Sequence, residues 1–276
     1  MEPEYVRYRP AAALRPWVSG GSGYRMDGPP GRHQGLPSGR LTLIFCLSGS
    51  VDVVEMPDPA RAPGSFPTLL GGLHDAPAVI EHDGRQHGVQ LQVTWRGARA
   101  LFGGPAGELA GDVVDLTALV GARATEIAER LASAPTWDDR FAVLDASLLA
   151  LADRDRAPGP PDQVARAWER LESSSGAVPV GALAAELGWS RRHLTGRFQR
   201  EFGLSPKAAA RVIRFEAACR LLRTPAPPPL ADVAARAGYF DQAHMARDFR
   251  DLGGTTATAW LAELRATILP GAAAPA

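Results

Sequence analysis

Two sets of hydrogen-bonding side chains recur in the last third of the chain. The first comprises Arg191, Arg192, Thr195, Gln199 and Arg200; the second comprises Gln242, Ala246, Arg247 and Arg250. Steps of three and four residues place the members of each set along one side of a helix. Arginine offers a planar fork of donors, glutamine a donor beside an acceptor, and threonine a hydroxyl. Such groups bond base edges and phosphate oxygens: arginine suits guanine, glutamine suits adenine, and a good bidentate pair discriminates by about 1–3 kcal/mol. The chemistry on offer is non-covalent reading of a polar, negatively charged surface.

The elements that would hold these residues are written twice. Leu183-Ala-Ala-Glu-Leu187-Gly188-Trp189-Ser190 leads into the first set, and Val233-Ala-Ala-Arg-Ala237-Gly238-Tyr239-Phe240 leads into the second. Gly188 and Gly238 are 50 residues apart, whereas Phe198 and Phe249 are 51 apart, so the second turn holds one extra residue. Each copy is a short Ala-rich helix, a Gly-aromatic turn and a longer helix. Leu194, Phe198 and Phe202 form the apolar stripe of one long helix; Met245, Phe249 and Leu252 form that of the other. Ser190 and Asp241 are suited to N-cap them. The pattern predicts two helix-turn-helix units, at about 180–203 and 230–252, whose second helices enter a DNA major groove.

Ser205-Pro206 starts a connecting helix expected to run to about Arg223, with Val212, Phe215, Cys219 and Leu222 buried. About 18 residues at 1.5 Å each give a rod of about 27 Å. Successive major-groove faces on one side of DNA are about 34 Å apart, so this rod is a suitable spacer.

These stretches resemble the AraC/XylS family of bacterial transcriptional regulators. The matches include Ser190-Arg-Arg-His-Leu194, Phe198-Gln-Arg-Glu-Phe-Gly203-Leu-Ser-Pro206, Arg214-Phe-Glu-Ala-Ala218 and Asp232-Val-Ala-Ala-Arg-Ala-Gly-Tyr239. Asp241-Gln-Ala-His244-Met and Arg247-Asp-Phe-Arg250 complete them. The resemblance covers about 161–264. It implies sequence-specific binding of double-stranded DNA and transcriptional control as the output. Gln242 and Arg247 match base-contact positions of the family. Three departures stand out: Gly196 where the family often has a base-reading arginine, Arg197 at a usually apolar position, and Gly253-Gly-Thr-Thr256-Ala without the usual proline. Thr224-Pro-Ala-Pro-Pro-Pro-Leu230 is also unusually proline-rich.

The N-terminal half has a different texture. Leu41-Thr-Leu-Ile-Phe-Cys-Leu47 and Val51-Asp-Val-Val-Glu55 read as a hairpin. Ala78-Val-Ile-Glu-His82, the turn Asp83-Gly84-Arg85, and the Val89, Leu91, Val93, Trp95 alternation read as a second. From about Gly97 the period becomes helical, with Ile127, Leu131, Phe141, Leu144, Leu148 and Leu151 recurring at threes and fours. Such helices would cover the sheet, pair with a second subunit, or both. The expected fold class is α+β: a small antiparallel β barrel or sandwich with helices, then an all-α double helix-turn-helix domain. The expected boundaries are 1–104 (β-rich), 105–156 (helical), 157–161 (Pro/Gly linker), 162–266 (reading domain) and 267–276 (disordered tail). The family resemblance makes the N-terminal half a cupin-like sensor of a small-molecule effector, a dimerisation module, or both, with RNA polymerase as a further partner.

The sequence holds 30 basic and 30 acidic residues. From residue 160 onward 15 arginine and lysine residues face 11 acidic ones; before it the figures are 15 and 19. A mildly basic reading half fits DNA, but an excess of four charges is small for binding through phosphates alone, which favours sequence readout. No apolar run reaches the roughly 18 residues of a membrane span, and the N-terminus lacks a secretory pattern, so the cytoplasm is expected.

Enzymatic readings have thin support. Gly-x-Ser-x-Gly, a Gly-Lys phosphate loop and His-Glu-x-x-His are all missing. Cys46 and Cys219 lie in apolar surroundings, unlike an alkyl-accepting thiolate. His33, His74, His82 and His87 lack the close His-x-His and carboxylate pattern of a cupin metal site, so neither a metal nor a cofactor is expected. His193 and His244 occupy equivalent positions beside the two stripes, where packing or a phosphate contact suits them better than catalysis. A cupin-type metalloenzyme and an effector-independent DNA-binding protein remain as alternatives.

Overall fold

The computed structural model describes residues 3–152 and 162–267. The expected 157–161 linker and the tail from residue 268 lie outside these. The chain divides into two compact units, one built from 1–35, 40–73 and 78–159, the other from 36–39, 74–77 and 160–276. The fold class is α+β. No helix among the described residues is long and apolar enough to cross a membrane.

The first unit holds two antiparallel sheets. In chain order its strands are β1 (Glu4–Tyr8), β2 (Val18–Asp27), β3 (Gly31–Gly35), β4 (Leu41–Ser48), β5 (Val51–Glu55), β6 (Gly64–Phe66), β7 (Thr68–Gly71), β8 (Ala78–His82), β9 (Arg85–Val93) and β10 (Val113–Asp115). The larger sheet runs β1-β2-β9-β4-β7-β10 and the smaller β3-β8-β5-β6. Alternation along β9 buries Val89, Leu91 and Val93 completely and leaves Gln90 and Gln92 exposed. A buried cluster joins Ile44 and Leu69 of the larger sheet to Val53 and Ala78 of the smaller.

Both expected hairpins are corners. β4 pairs with β7 and β9, while β5 pairs with β6 and β8 in the other sheet. Likewise β8 pairs with β3 and β5, and β9 with β2 and β4. A tight turn between alternating strands serves equally well to fold a ribbon on itself or to carry the chain across a sandwich. Gly84 shows why this one crosses. Its φ is +98°, and a Cβ there would come within 1.9 Å of the Gly28 carbonyl oxygen. The Gly28 N–H in turn donates to the Gly84 carbonyl at 2.9 Å, so two backbones meet at the corner.

Trp95, expected at the end of a strand, instead opens helix α1 (Trp95–Phe102), capped by the Thr94 side chain accepting from the Gly97 N–H. Helices α2 (Thr117–Val120), α3 (Ala122–Ser133) and α4 (Trp137–Leu151) follow. Ile127, Leu131, Leu144, Leu148 and Leu151 are buried, and α3 packs on β4 and β7. Asp145 of α4 accepts from the Tyr8 hydroxyl and, at 3.2 Å, from the Ala11 N–H, tying α4 to the first strand and the turn after it.

Gly84→Ala is expected to destabilise this unit by more than about 1 kcal/mol, because alanine neither adopts this φ cheaply nor fits against Gly28. Urea unfolding followed by tryptophan fluorescence checks it; an unchanged midpoint would place the corner elsewhere.

Candidate nucleic-acid interface

The second unit contains helices α5 (Asp162–Ser173), α6 (Val180–Glu186), α7 (Arg191–Phe202), α8 (Pro206–Leu222), α9 (Leu230–Arg236), α10 (Gln242–Gly253) and α11 (Ala257–Thr267). The first residue of the expected tail is thus the last of α11.

The duplication extends to single hydrogen bonds. Gly188 and Gly238 adopt φ of +69° and +81°. After each, the aromatic residue's N–H returns to the preceding helix: Trp189 donates to Ala184 O and Tyr239 to Ala234 O, both at 2.9 Å. Ser190 then accepts from the His193 N–H at 3.2 Å, and Asp241 from the His244 N–H at 2.6 Å. The imidazoles lie edge-on to the turn aromatics, His193 at 4.7 Å from Trp189 and His244 at 5.1 Å from Tyr239. Gly203 and Gly254, at φ of +74° and +66°, end the two long helices. Ser205 and Pro206 open α8 as their residue types demand.

Each long helix is held by aromatic packing, α7 from one neighbouring helix and α10 from two. Trp168 of α5 stacks on Phe198 at 5.7 Å and meets Phe202 at 4.5 Å. In the second copy Phe249 packs against Phe215 of α8 at 4.9 Å and Trp260 of α11 at 6.1 Å. Leu194, Phe198, Phe202, Met245, Phe249 and Leu252 are buried, as are Val212, Phe215, Cys219 and Leu222 of α8. Leu183 is buried too, whereas Leu187 and Trp189 remain partly exposed.

With the apolar stripes buried, the polar sets are left outside. Arg191, Arg192, Gln199, Arg200, Gln242, Arg247 and Arg250 are exposed; Thr195 and Ala246 are half-buried beside them. Arg200 Nε donates to the Gly196 carbonyl at 3.2 Å. The Arg191 guanidinium lies over the start of α6, so close that a Cβ on Gly181 would come within 2.5 Å of it. Gly196 itself faces open space. The first turn of α7 carries two arginines and no acid, which opposes the positive end of the helix dipole by about 0.3–1 kcal/mol per charge. Bound anions relieve that conflict.

A polar cluster that the sequence pattern does not reveal fixes α10 to α8. Arg211 donates to Asp248 Oδ1 through Nε at 2.9 Å and Nη2 at 2.7 Å, and Nη2 also reaches Asp251 at 2.8 Å. The Asp248 side chain is 4% exposed and that of Arg211 is 30% exposed. Nearby, Arg214 donates to the Gly176 carbonyl at 2.7 Å and lies over the Tyr239 ring. Burial first, then the Asp248 charge, pushes the Tyr239 hydroxyl well above the usual tyrosine range. The outward-facing charge of Arg247 next to the inward-facing charge of Asp248 is invisible to a period-based reading, since charges default to solvent.

The other candidate groups stand apart. His33 and His82 form a ring pair across β3 and β8 at 5.5 Å, and no cluster of three or more metal-binding side chains occurs among the described residues. Burial pushes the Cys46 thiol up to about 11 and that of Cys219 up to about 12, far from a reactive thiolate.

The helix-turn-helix domain family matches residues 183–263, which span both polar helices. These residues are an AraC-type helix-turn-helix domain. An uncharacterized HTH-type transcriptional regulator, YbfI of Bacillus subtilis (strain 168), is 34% identical over 89 residues, covering 32% of this chain and 32% of that one. The match therefore spans about a third of the curated relative. ToxT from Vibrio cholerae O395 resembles the whole fold, with a TM-score of 0.53 over 95% of this chain and 97% of that one at 11% identity. A ToxT structure bound to (E)-4-(8-methylnaphthalen-1-yl)but-3-enoic acid gives a TM-score of 0.53 at 11% identity, over 96% of this chain and 100% of that one. The AraC-type domain is the only part of the chain that the family match covers, so the likeness of the N-terminal unit to ToxT is one of fold.

The two partners of the buried ion pair are not equivalent. Arg211→Ala strands a buried carboxylate and is expected to cost about 3 kcal/mol, whereas Asp248→Asn leaves Arg211 with Asp251 and solvent and should cost about 1 kcal/mol. Chemical denaturation of both variants measures the difference, and equal losses would contradict this account.

Proposed function

We propose that this protein is a sequence-specific DNA-binding transcriptional regulator, reading two successive major-groove segments with α7 and α10. The observation carrying it is the pair of capped helices, each buried along one stripe and lined on the other side with arginine and glutamine. The AraC-type domain and the HTH-type regulator YbfI support the same reading. Arg191 and Arg192, in the first turn of α7, suit phosphates; Thr195, Gln199 and Arg200 lie further along that face. Gln242, Ala246, Arg247 and Arg250 line the second helix, and Arg247 and Gln242 suit base edges.

A small molecule bound in the N-terminal β unit is the proposed control. The support is the ToxT-like fold together with the organic acid and the unsaturated fatty acid named as ligands of ToxT. Such a regulator works where its DNA is, in the cytoplasm, with RNA polymerase and a second copy of the chain as further partners. The raised thiol pKa values speak against alkyl transfer, and no observation favours a metal-dependent enzyme over a regulator.

Footprinting on DNA upstream of its own or a neighbouring gene tests the reading; no protected segment, with or without candidate acids, would overturn it. Arg247→Ala is expected to relax preference at one base pair by about 1–3 kcal/mol. Arg192→Glu is expected to weaken binding with a shallower salt dependence while raising the stability of the free protein by about 0.5 kcal/mol, since it reverses a charge set against the helix dipole. Titration at two salt concentrations and thermal melting without DNA separate these effects; a variant that loses both binding and stability would refute the phosphate assignment.

A further inference from the structure

The two copies differ in their turns, and the difference has a physical consequence. In the first, the Trp189 N–H bonds back to the preceding helix and the next residue, Ser190, caps α7. In the second, Tyr239 takes the equivalent place and Asp241 caps α10. Phe240 stands between them as the added residue. It serves neither the core nor the cap, and it is 93% exposed. The other exposed large hydrophobic side chains among the described residues, Tyr5, Leu149 and Leu119, are 50%, 40% and 36% exposed, and all belong to the first unit.

A lone exposed apolar residue is ordinarily unremarkable on a protein surface. This one sits directly before the N-terminus of α10, the end that meets base edges in a helix-turn-helix complex. The exposed cap Asp241 and then exposed Gln242 and Ala243 follow it, and Arg247 is exposed one turn further along. No second large exposed hydrophobic side chain of this unit accompanies it among the described residues, so it is no part of a contiguous apolar patch of the kind that marks a protein or lipid partner. Arg247 and Arg250, further along the exposed side of α10, suit a polyanion, and the apolar feature that a DNA major groove presents is the C5-methyl group of thymine.

We propose that Phe240 is a specificity-determining contact, its ring packing against the methyl group of one thymine at the edge of the segment read by α10. The proposal rests on the DNA-reading function above and adds to it a base preference that needs no hydrogen bond. It also gives the longer second turn a purpose, since a turn of the first kind has no position for such a side chain.

The test uses the full-length chain and DNA sites enriched by it from a random library. Each thymine of an enriched site is replaced in turn by deoxyuridine, which removes only the methyl group, and binding is compared for the native protein, Phe240→Ala and Phe240→Ser. One replacement should weaken native binding about fivefold. It should leave both variants unaffected, and both should bind the thymine site as weakly as the native protein binds the uracil site. The salt dependence should stay the same, because no phosphate contact is lost. Melting temperatures should also stay the same, since the side chain is exposed. If every uracil replacement affects native protein and variants alike, or the variants bind as the native protein does, the contact is refuted. A loss of affinity in the variants that ignores the methyl group would assign the ring to sugar or to a protein partner and refute it equally. Failure of the native chain to enrich any sequence would overturn the regulator reading itself and this contact with it.

Discussion

The reading domain depends on one helix being shared. The connecting helix α8 packs against α5, α7, α9 and α10. Phe215, Ala218, Cys219 and Leu222 of that rod enter the same cluster as Met245, Phe249 and Leu252. A helix of 17 residues is about 25 Å long, and its backbone bonds make it stiff. The separation of the two polar helices is therefore set by packing on a rod, not by a flexible linker. Close-packed interiors deform little, so the two polar helices are held in place before any ligand arrives.

Arg211 adds direction to that packing. The apolar stripe already sets which side of α10 is inward, but methyl and ring contacts are themselves non-directional, so a directional bond sharpens that choice. A guanidinium bonded to Asp248 and Asp251 fixes which side of α10 faces α8. Arg247, next in sequence to Asp248, is thereby directed outward. An ion pair with one member almost dry is a poor source of net stability, since desolvation offsets most of the attraction, but it is costly to break in any other geometry. Orientation is the better-supported role for it here.

The helical half was more legible in the sequence than the β half, and the reason is physical. A helix advertises its buried side through a period that neighbours cannot change, so Leu194, Phe198, Phe202, Met245, Phe249 and Leu252 could be assigned to the core from spacing alone. The caps Ser190, Asp241 and Ser205 are equally local. Strand pairing is not local. The alternation through Val89–Val93 says which residues point inward, and it did so correctly, but it does not say which strand lies alongside. Partners far along the chain separate a corner from a hairpin: β8 pairs with β3 and β5, β9 with β2 and β4, and Gly84 meets Gly28, 56 positions away. The ion pair of Arg211 and Asp248 escaped for the same reason, its members being 37 residues apart.

The copies have diverged in how they carry charge, and that bears on how the proposed DNA reading would be shared. With the extra residue allowed for, Gly196 lies opposite Arg247, Arg197 opposite the buried Asp248, and Arg191 and Arg192 opposite Gln242 and Ala243. The first helix places two of its four arginines in the opening turn, against the dipole, and exposes bare backbone at Gly196, where a side chain could otherwise reach a base. The second has no cation in its opening turn, and places its first arginine a turn later at Arg247. Cations crowded at a helix start favour anions but discriminate little among sequences, whereas single donors further along favour particular base edges. On this division α7 supplies attraction and register, and α10 supplies most of the choice of sequence. A device that fixes the rotation of α10 matters more in that case than one for α7, which is where the buried Arg211–Asp248 pair is found.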